Sequence, residues 1–185
     1  MASAHALNRV AGPDTVGVWA PVGLVAEATK KAGLVWITAS GTRRARPAWH
    51  LWRDAAAYVL TGGSEQPLPE LAEASHAEVT VPSKDSGGRL ISWIAGVTRV
   101  VPGSEEWLQV IPELASKRLN ALDSENQADR WARECTLLRL EPTGRVSEAP
   151  GAMSEDAGAA PPQATPATTS GPRPFVIGRA RRRRR

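Results

Sequence analysis

Side chains able to do chemistry are sparse in this chain. His5, His50 and His76 stand far apart, and Cys135 is the one cysteine. Metal sites need several His, Cys or carboxylate ligands at short spacing, so no metal site is expected. The sequence holds no G-x-x-x-x-G-K-[ST] phosphate loop and no G-x-S-x-G nucleophile elbow. His50 lies mid-strand between Trp49 and Trp52, which suits a structural histidine with a satisfied ring better than a general base. Cys135 opens a strand beside a helix end and reads as a buried, inert thiol. No catalytic residue can be assigned. One class of protein tolerates such a lack: a flavin or deazaflavin brings its own redox chemistry, and the chain need only hold, orient and desolvate it.

The elements that would position such a group follow from local pattern. Pro21 through Ala32 predicts a helix, with proline in the first turn and Lys30 and Lys31 in the last. Leu34–Ala39, Arg46–Trp52 and Ala56–Thr61 predict three strands joined by short turns. In the second, Ala48, His50 and Trp52 face one side, and Trp49 and Leu51 the other. Gly62 to Pro69 breaks the pattern, and a short helix follows over Leu68–Ala74. His76–Val81 and Arg89–Val101 predict a hairpin turned by Asp85-Ser-Gly-Gly88, with Gly96 marking a bulge or a bend. Ser104 should cap a helix that Pro112 interrupts, and Ser124 with Gln127 fits a capping box for another. Cys135–Leu140 closes as the sixth strand. With no strand–helix alternation, this order predicts an α+β, mainly β fold: a six-stranded antiparallel barrel with flanking helices.

Length and charge set the boundaries. The chain has 185 residues, and its formal charge of +4 is uneven. Through Ser147 there are 16 basic and 16 acidic residues; from Glu148 onward there are 7 basic and 3 acidic. The folded part therefore carries no electrostatic signature of a nucleic-acid binder. All seven tryptophans precede Gly151, which places the core there. The expected division is a flexible N-terminus over 1–17, a domain over 18–146, and a disordered Ala/Pro-rich linker with an arginine-rich tail over 147–185. Arg179 and Arg181–Arg185 could give weak, salt-sensitive binding to polyanions. A solvated terminus accounts for them equally well. The lone cysteine and the want of a signal peptide or long apolar run predict a cytoplasmic protein that does not enter membranes.

From Pro21 to Pro142 the sequence resembles the pyridoxamine 5'-phosphate oxidase-like split-barrel family, which includes FMN- and deazaflavin-binding oxidoreductases. Four pieces carry the resemblance: Gly33-Leu-Val-Trp-Ile-Thr38 after a helix; Arg46-Pro-Ala-Trp-His-Leu-Trp52; Ala57-Tyr-Val-Leu-Thr-Gly62; and Trp93–Val101 paired with Cys135–Pro142. The resemblance implies a homodimer with FMN or a deazaflavin at the subunit interface, acting on an unidentified small molecule. It places the cofactor phosphate at Thr61, Gly62, Gly63 and Ser64. There glycines admit close backbone approach, and hydroxyls suit phosphate oxygens. It places Trp49 and Trp52 beside the ring. The chain departs from the family at Glu65 and Gln66, where a Lys or Arg often follows. Lys84, Arg89 or Arg46 would have to supply the cation from other strands. Without one, the alternative is a non-catalytic binding or interaction protein on the same fold.

Overall fold

The β-rich segments pair into one curled antiparallel sheet. The computed structural model describes residues 22–118 and 126–155. The expectations for residues 1–17, for Ser124 and for the arginine tail lie outside them. The elements are α1 (Val22–Lys31), β1 (Val35–Ala39), β2 (Arg46–Ala48), β3 (Leu51–Arg53), β4 (Ala56–Gly62), α2 (Pro69–Ala72), β5 (His76–Pro82), β6 (Arg89–Val100), α3 (Glu105–Lys117), α4 (Gln127–Glu134) and β7 (Cys135–Glu148). The sheet order is β2-β1-β5-β6-β7-β4-β3. Its two edge strands are consecutive in sequence, with only Trp49 and His50 between them. Three peptide steps span at most about 10 Å, so the two edges must come close and the sheet must roll into a half-barrel.

The sheet has seven strands, not six. The expected second strand breaks at Trp49-His50, and its halves pair at opposite edges, with β1 and with β4. At the break Trp49 loses strand partners for both its backbone groups. The Gln66 side chain replaces them: Trp49 N–H donates to Oε1 at 2.9 Å, and Nε2 donates to the Trp49 carbonyl at 3.0 Å.

Period-two alternation sorts the apolar residues into two cores. Val35, Ile37, Ala57, Val59, Val79 and Trp93 point inward and pack with Val25 and Ala28 of α1 and Leu71 of α2. Tyr58, Leu60, Leu51 and Leu137 point outward, under Trp107, Val110, Ile111 and Leu114 of α3 and Trp131 of α4. Strand β4 is therefore buried on both faces. Thr29 fastens α1 over the barrel: its hydroxyl accepts from Trp93 Nε1 at 3.2 Å and its carbonyl meets His50 Nε2 at 2.8 Å. Among the described residues no helix is long and apolar enough to cross a membrane.

Three local expectations are corrected. Helix α3 continues through Pro112. The missing N–H leaves only the Leu108 carbonyl unserved, and Leu108 lies on the exposed face, open to water. The ladder irregularity falls at Ser92–Ala95 against β7, while Gly96 pairs regularly with Glu141 and His76. Strand β7 runs on past Pro142 to Glu148, with Gly144 at φ 82 taking up the bend. Two other features match expectation: Ser104 Oγ accepts from Trp107 N–H at 3.2 Å, and Gly87 adopts φ 69 in the β5–β6 turn.

The β3–β4 hairpin turns on Asp54 (φ 47) and Ala55 (φ 60). This primed geometry is the one whose twist matches the strands, and it favours glycine. Alanine at positive φ is strained, so Ala55→Gly is expected to raise unfolding free energy by about 1 kcal/mol, read from the urea midpoint.

Candidate functional site

The loop after β4 is shaped by its two glycines. Gly62 sits at φ 96 and Gly63 at φ 55, and Glu65 N–H closes the turn onto the Gly62 carbonyl at 3.0 Å. A Cβ on Gly62 would lie 3.1 Å from the Glu134 carbonyl oxygen, and one on Gly63 would lie 3.1 Å from Cys135 Sγ. Glycine is needed here so that the loop can lie against the α4–β7 junction. Thr61 is buried, and its hydroxyl accepts from Leu68 N–H at 2.8 Å, which anchors the far end of the loop.

Two arginines from distant helices converge on this loop. Arg130 of α4 donates through Nη1 to Ser64 Oγ at 2.7 Å. Arg118, just after α3, donates through Nε to Glu65 Oε2 at 2.9 Å. Glu65 is the centre of the cluster, with its side chain only 2% exposed. Its Oε1 accepts from Trp131 Nε1 at 2.9 Å and lies 3.8 Å from Arg130 Nη2. The Arg118 guanidinium stands 5.8 Å from the Trp49 ring centroid, within cation–π range. Trp49 and Trp131 are 6.4 Å apart and tilted by 39°. Two guanidiniums and an indole N–H thus face one buried carboxylate, and one of those guanidiniums also holds the Ser64 hydroxyl.

The structure brings Trp49, Gly62, Gly63 and Ser64 to one place and Trp52 to another. Trp49, at the break between β2 and β3, packs against the outer core. Trp52 belongs with the inner core and meets Trp93 edge-on at 6.2 Å. Of the cations considered from sequence, Arg46 pairs with Glu70 at 3.2 Å, Arg89 with Glu148 at 2.9 Å, and Lys84 lies in the exposed β5–β6 turn. The arginines that do reach the loop, Arg118 and Arg130, have no local sequence signal.

His50 is buried, and its Nδ1 has no partner among the described residues. A carbonyl can only accept, so Nε2 carries the proton and the ring is the neutral Nε2–H tautomer. Burial chiefly holds its pKa below the ordinary histidine value, against the pull of the Thr29 bond. A depressed pKa means the native state binds fewer protons than the unfolded one. Its contribution is complete above the unfolded value near 6.5 and is lost as pH falls through the folded value. His50→Gln should therefore flatten the fall in unfolding free energy between neutral pH and pH ~5, removing up to about 1.4 kcal/mol per pH unit. Equal slopes for the two proteins would contradict this.

Cys135 is half-buried, with Sγ 3.4 Å from the Gly62 carbonyl. Burial first, and then repulsion from Glu65, pushes its thiol pKa up to about 11. At neutral pH its alkylation by iodoacetamide is expected to be about 100-fold slower than that of an ordinary exposed thiol.

A separate open cleft of about 560 Å³ lies where the β3–β4 hairpin meets α3. Its charges answer one another. Tyr58 OH donates to Glu106 Oε1 at 2.7 Å, Arg139 Nε stands 3.8 Å from Glu106, and Arg53 binds Glu113 and Gln109. Burial, reinforced by Glu106, lifts the Tyr58 pKa to about 12 and keeps the phenol protonated. None of the expected site residues lines this cleft. Among the described residues no three His, Cys, Asp or Glu side chains gather as metal ligands would.

No family model matches the chain, and no curated protein matches it significantly. Similar solved structures include the heme storage protein HutZ from Vibrio cholerae, at 14% identity over 65% of this chain and 88% of that one, with TM-score 0.49. A putative pyridoxamine 5'-phosphate oxidase from Listeria innocua is 12% identical over 66% of this chain and 93% of that one, with TM-score 0.47. An F420 reductase is 12% identical over 66% and 95%, with TM-score 0.47.

Proposed function

We propose that the chain is a split-barrel protein that holds a flavin-type cofactor, FMN or a deazaflavin, between two copies of itself and serves hydride transfer to a small organic acceptor. The observation that carries this reading is the donor set on the loop after β4. Arg130 on Ser64 and Arg118 beside it supply cations where none is written locally in the sequence. Guanidiniums, a hydroxyl and an indole N–H are the donors an anionic group such as a phosphate takes. Arg118, Arg130 and Ser64 would hold that group. Trp49, tilted beside the Arg118 guanidinium, would border the ring. The cofactor would supply the redox chemistry; the chain's own part is binding, orientation and exclusion of water. The second copy belongs to the same proposal. Leu34, just before β1, and Trp36 within it are 50% and 45% exposed, apolar surface suited to a partner.

One observation favours a second reading, a non-catalytic binding protein: Glu65 already fills the centre of the donor set. Gel filtration after incubation with FMN or a deazaflavin separates the two. Chromophore co-eluting with a species of twice the chain mass supports the first. A protein that elutes colourless after both incubations supports the second.

A further inference from the structure

We propose that the open cleft between the β3–β4 hairpin and α3 is the docking site of the chain's own segment Pro174–Arg185, with carboxylates on the rim taking the arginines and an apolar lip taking Phe175–Ile177. None of the residues proposed to hold a cofactor lines this cleft. Its wall carries Arg53, Arg99 and Arg139 against Asp54, Glu105 and Glu106, an even balance. The same three arginines also draw Glu113, Glu73 and Glu141 to the rim, each through an ion pair. Lining groups and their partners thus amount to six carboxylates and three guanidiniums, a local charge of −3. Asp54, Glu73 and Glu141 keep most of their surface in water. A carboxylate offers about four acceptor positions, so one guanidinium leaves room for another.

Apolar surface lies beside these charges. Val101 on the cleft wall is 67% exposed, and Leu108, one helical turn after Glu105, is 65% exposed. They are two of the four large apolar side chains left exposed among the described residues; the other two are Leu34 and Trp36. The segment carries the complementary groups in one short run. Phe175, Val176 and Ile177 are followed by Arg179 and Arg181–Arg185, with no acidic residue among them. Residues 156–174 hold no Val, Leu, Ile, Met or aromatic residue, so the apolar anchor is confined to these three positions. Six cations thus follow an apolar triplet, and the cleft sets excess carboxylates beside an apolar lip. Opposite charge in this arrangement both steers the encounter and fixes its place.

The connection is long enough. Arg89, at one end of β6, holds the Ser154 carbonyl, while Arg99 and Val100 at the other end line the cleft. Ten residues of strand separate those ends, about 33 Å. The 21 steps from Ser154 to Phe175 span up to about 70 Å. The segment can therefore reach the cleft of its own chain.

The test places a nitroxide on the full chain through Ala180→Cys and reads the loss of backbone amide signal. Cys135 is half-buried, and the unsubstituted chain treated alike corrects for label on it. At ~10 mM ionic strength, where the Debye length is about 30 Å, amides of Asp54, Val101 and Glu105–Gln109 should lose at least about threefold more intensity than those of Asp85–Gly88. The Asp85–Gly88 turn lies at the end of β6 where Ser154 is held, so an undocked segment would spend more time there. At ~1 M salt, with a Debye length of about 3 Å, at least about half of the lost intensity should return. Phe175→Ala in the labelled chain should weaken the cleft signal loss as well. Signal loss centred on Asp85–Gly88, or spread evenly over the surface, overturns the proposal. So does loss at the cleft that neither salt nor F175A changes. In a mixture of nitroxide-labelled chains and unlabelled nitrogen-15 chains the cleft amides should stay sharp; their broadening there would assign the docked segment to a second copy and overturn docking on the same chain.

Discussion

Trp131→Ala is expected to cost about 4 kcal/mol of unfolding free energy, the largest effect of a substitution in α4. Trp131 is fully buried in the outer core, packed beside Trp49 and under the end of α3. The loss has two parts. Removing the ring leaves a cavity that a short helix can only partly close. Removing Nε1–H also strips a hydrogen bond from the buried Glu65 carboxylate. Trp131→Phe separates these parts, because it keeps most of the ring volume and removes the donor; about 1–3 kcal/mol is expected. Urea unfolding of the three proteins checks the order. If Phe costs as much as Ala, packing has been overstated; if Phe costs nothing, Glu65 does not depend on the indole.

Trp93→Ala should be comparably damaging, on the other face of the sheet, at about 3–5 kcal/mol. Trp93 is fully buried inside the barrel, meets Trp52 edge-on and donates to the Thr29 hydroxyl. It therefore carries both the inner packing and the tie to α1. Loss of the tie should show locally: amide exchange in α1 should speed up more than exchange in α3, which packs on the opposite face. Uniform acceleration through both helices would mean that the two cores unfold as one unit and that Thr29 is not a distinct anchor.

Local patterns in the sequence carried much of the fold. Runs rich in β-branched, aromatic and other apolar residues between turn signals placed β1, β4, β5 and β6, and the Asp85–Gly88 turn fixed the β5–β6 hairpin. These signals are local, arising from side-chain period and backbone demands at glycine. What remained hidden depends on partners far along the chain. The break at Trp49-His50 is stabilised by Gln66, 17 positions away. Pro112 is tolerated because α3 holds its buried face to the sheet on both sides of it. The sequence showed a loop with hydroxyls and glycines but a carboxylate where a cation was wanted. The cations arrive from Arg118 and Arg130, 53 and 66 positions from their partners in the loop, a spacing that no local pattern encodes. Alternation already set Trp49 and Trp52 on opposite faces, and only the family resemblance put both beside one ring.

The measurement that tests the central claim most directly is titration of the wild-type protein with FMN and with a deazaflavin, following tryptophan emission. Trp49 and Trp131 lie at the donor cluster itself, so a ring system bound there must quench them. Saturable quenching by one of the two, with a dissociation constant on the order of 1 μM or tighter, is the predicted result. Emission unchanged by either would contradict the claim and leave a split barrel whose anion site serves only its own Glu65.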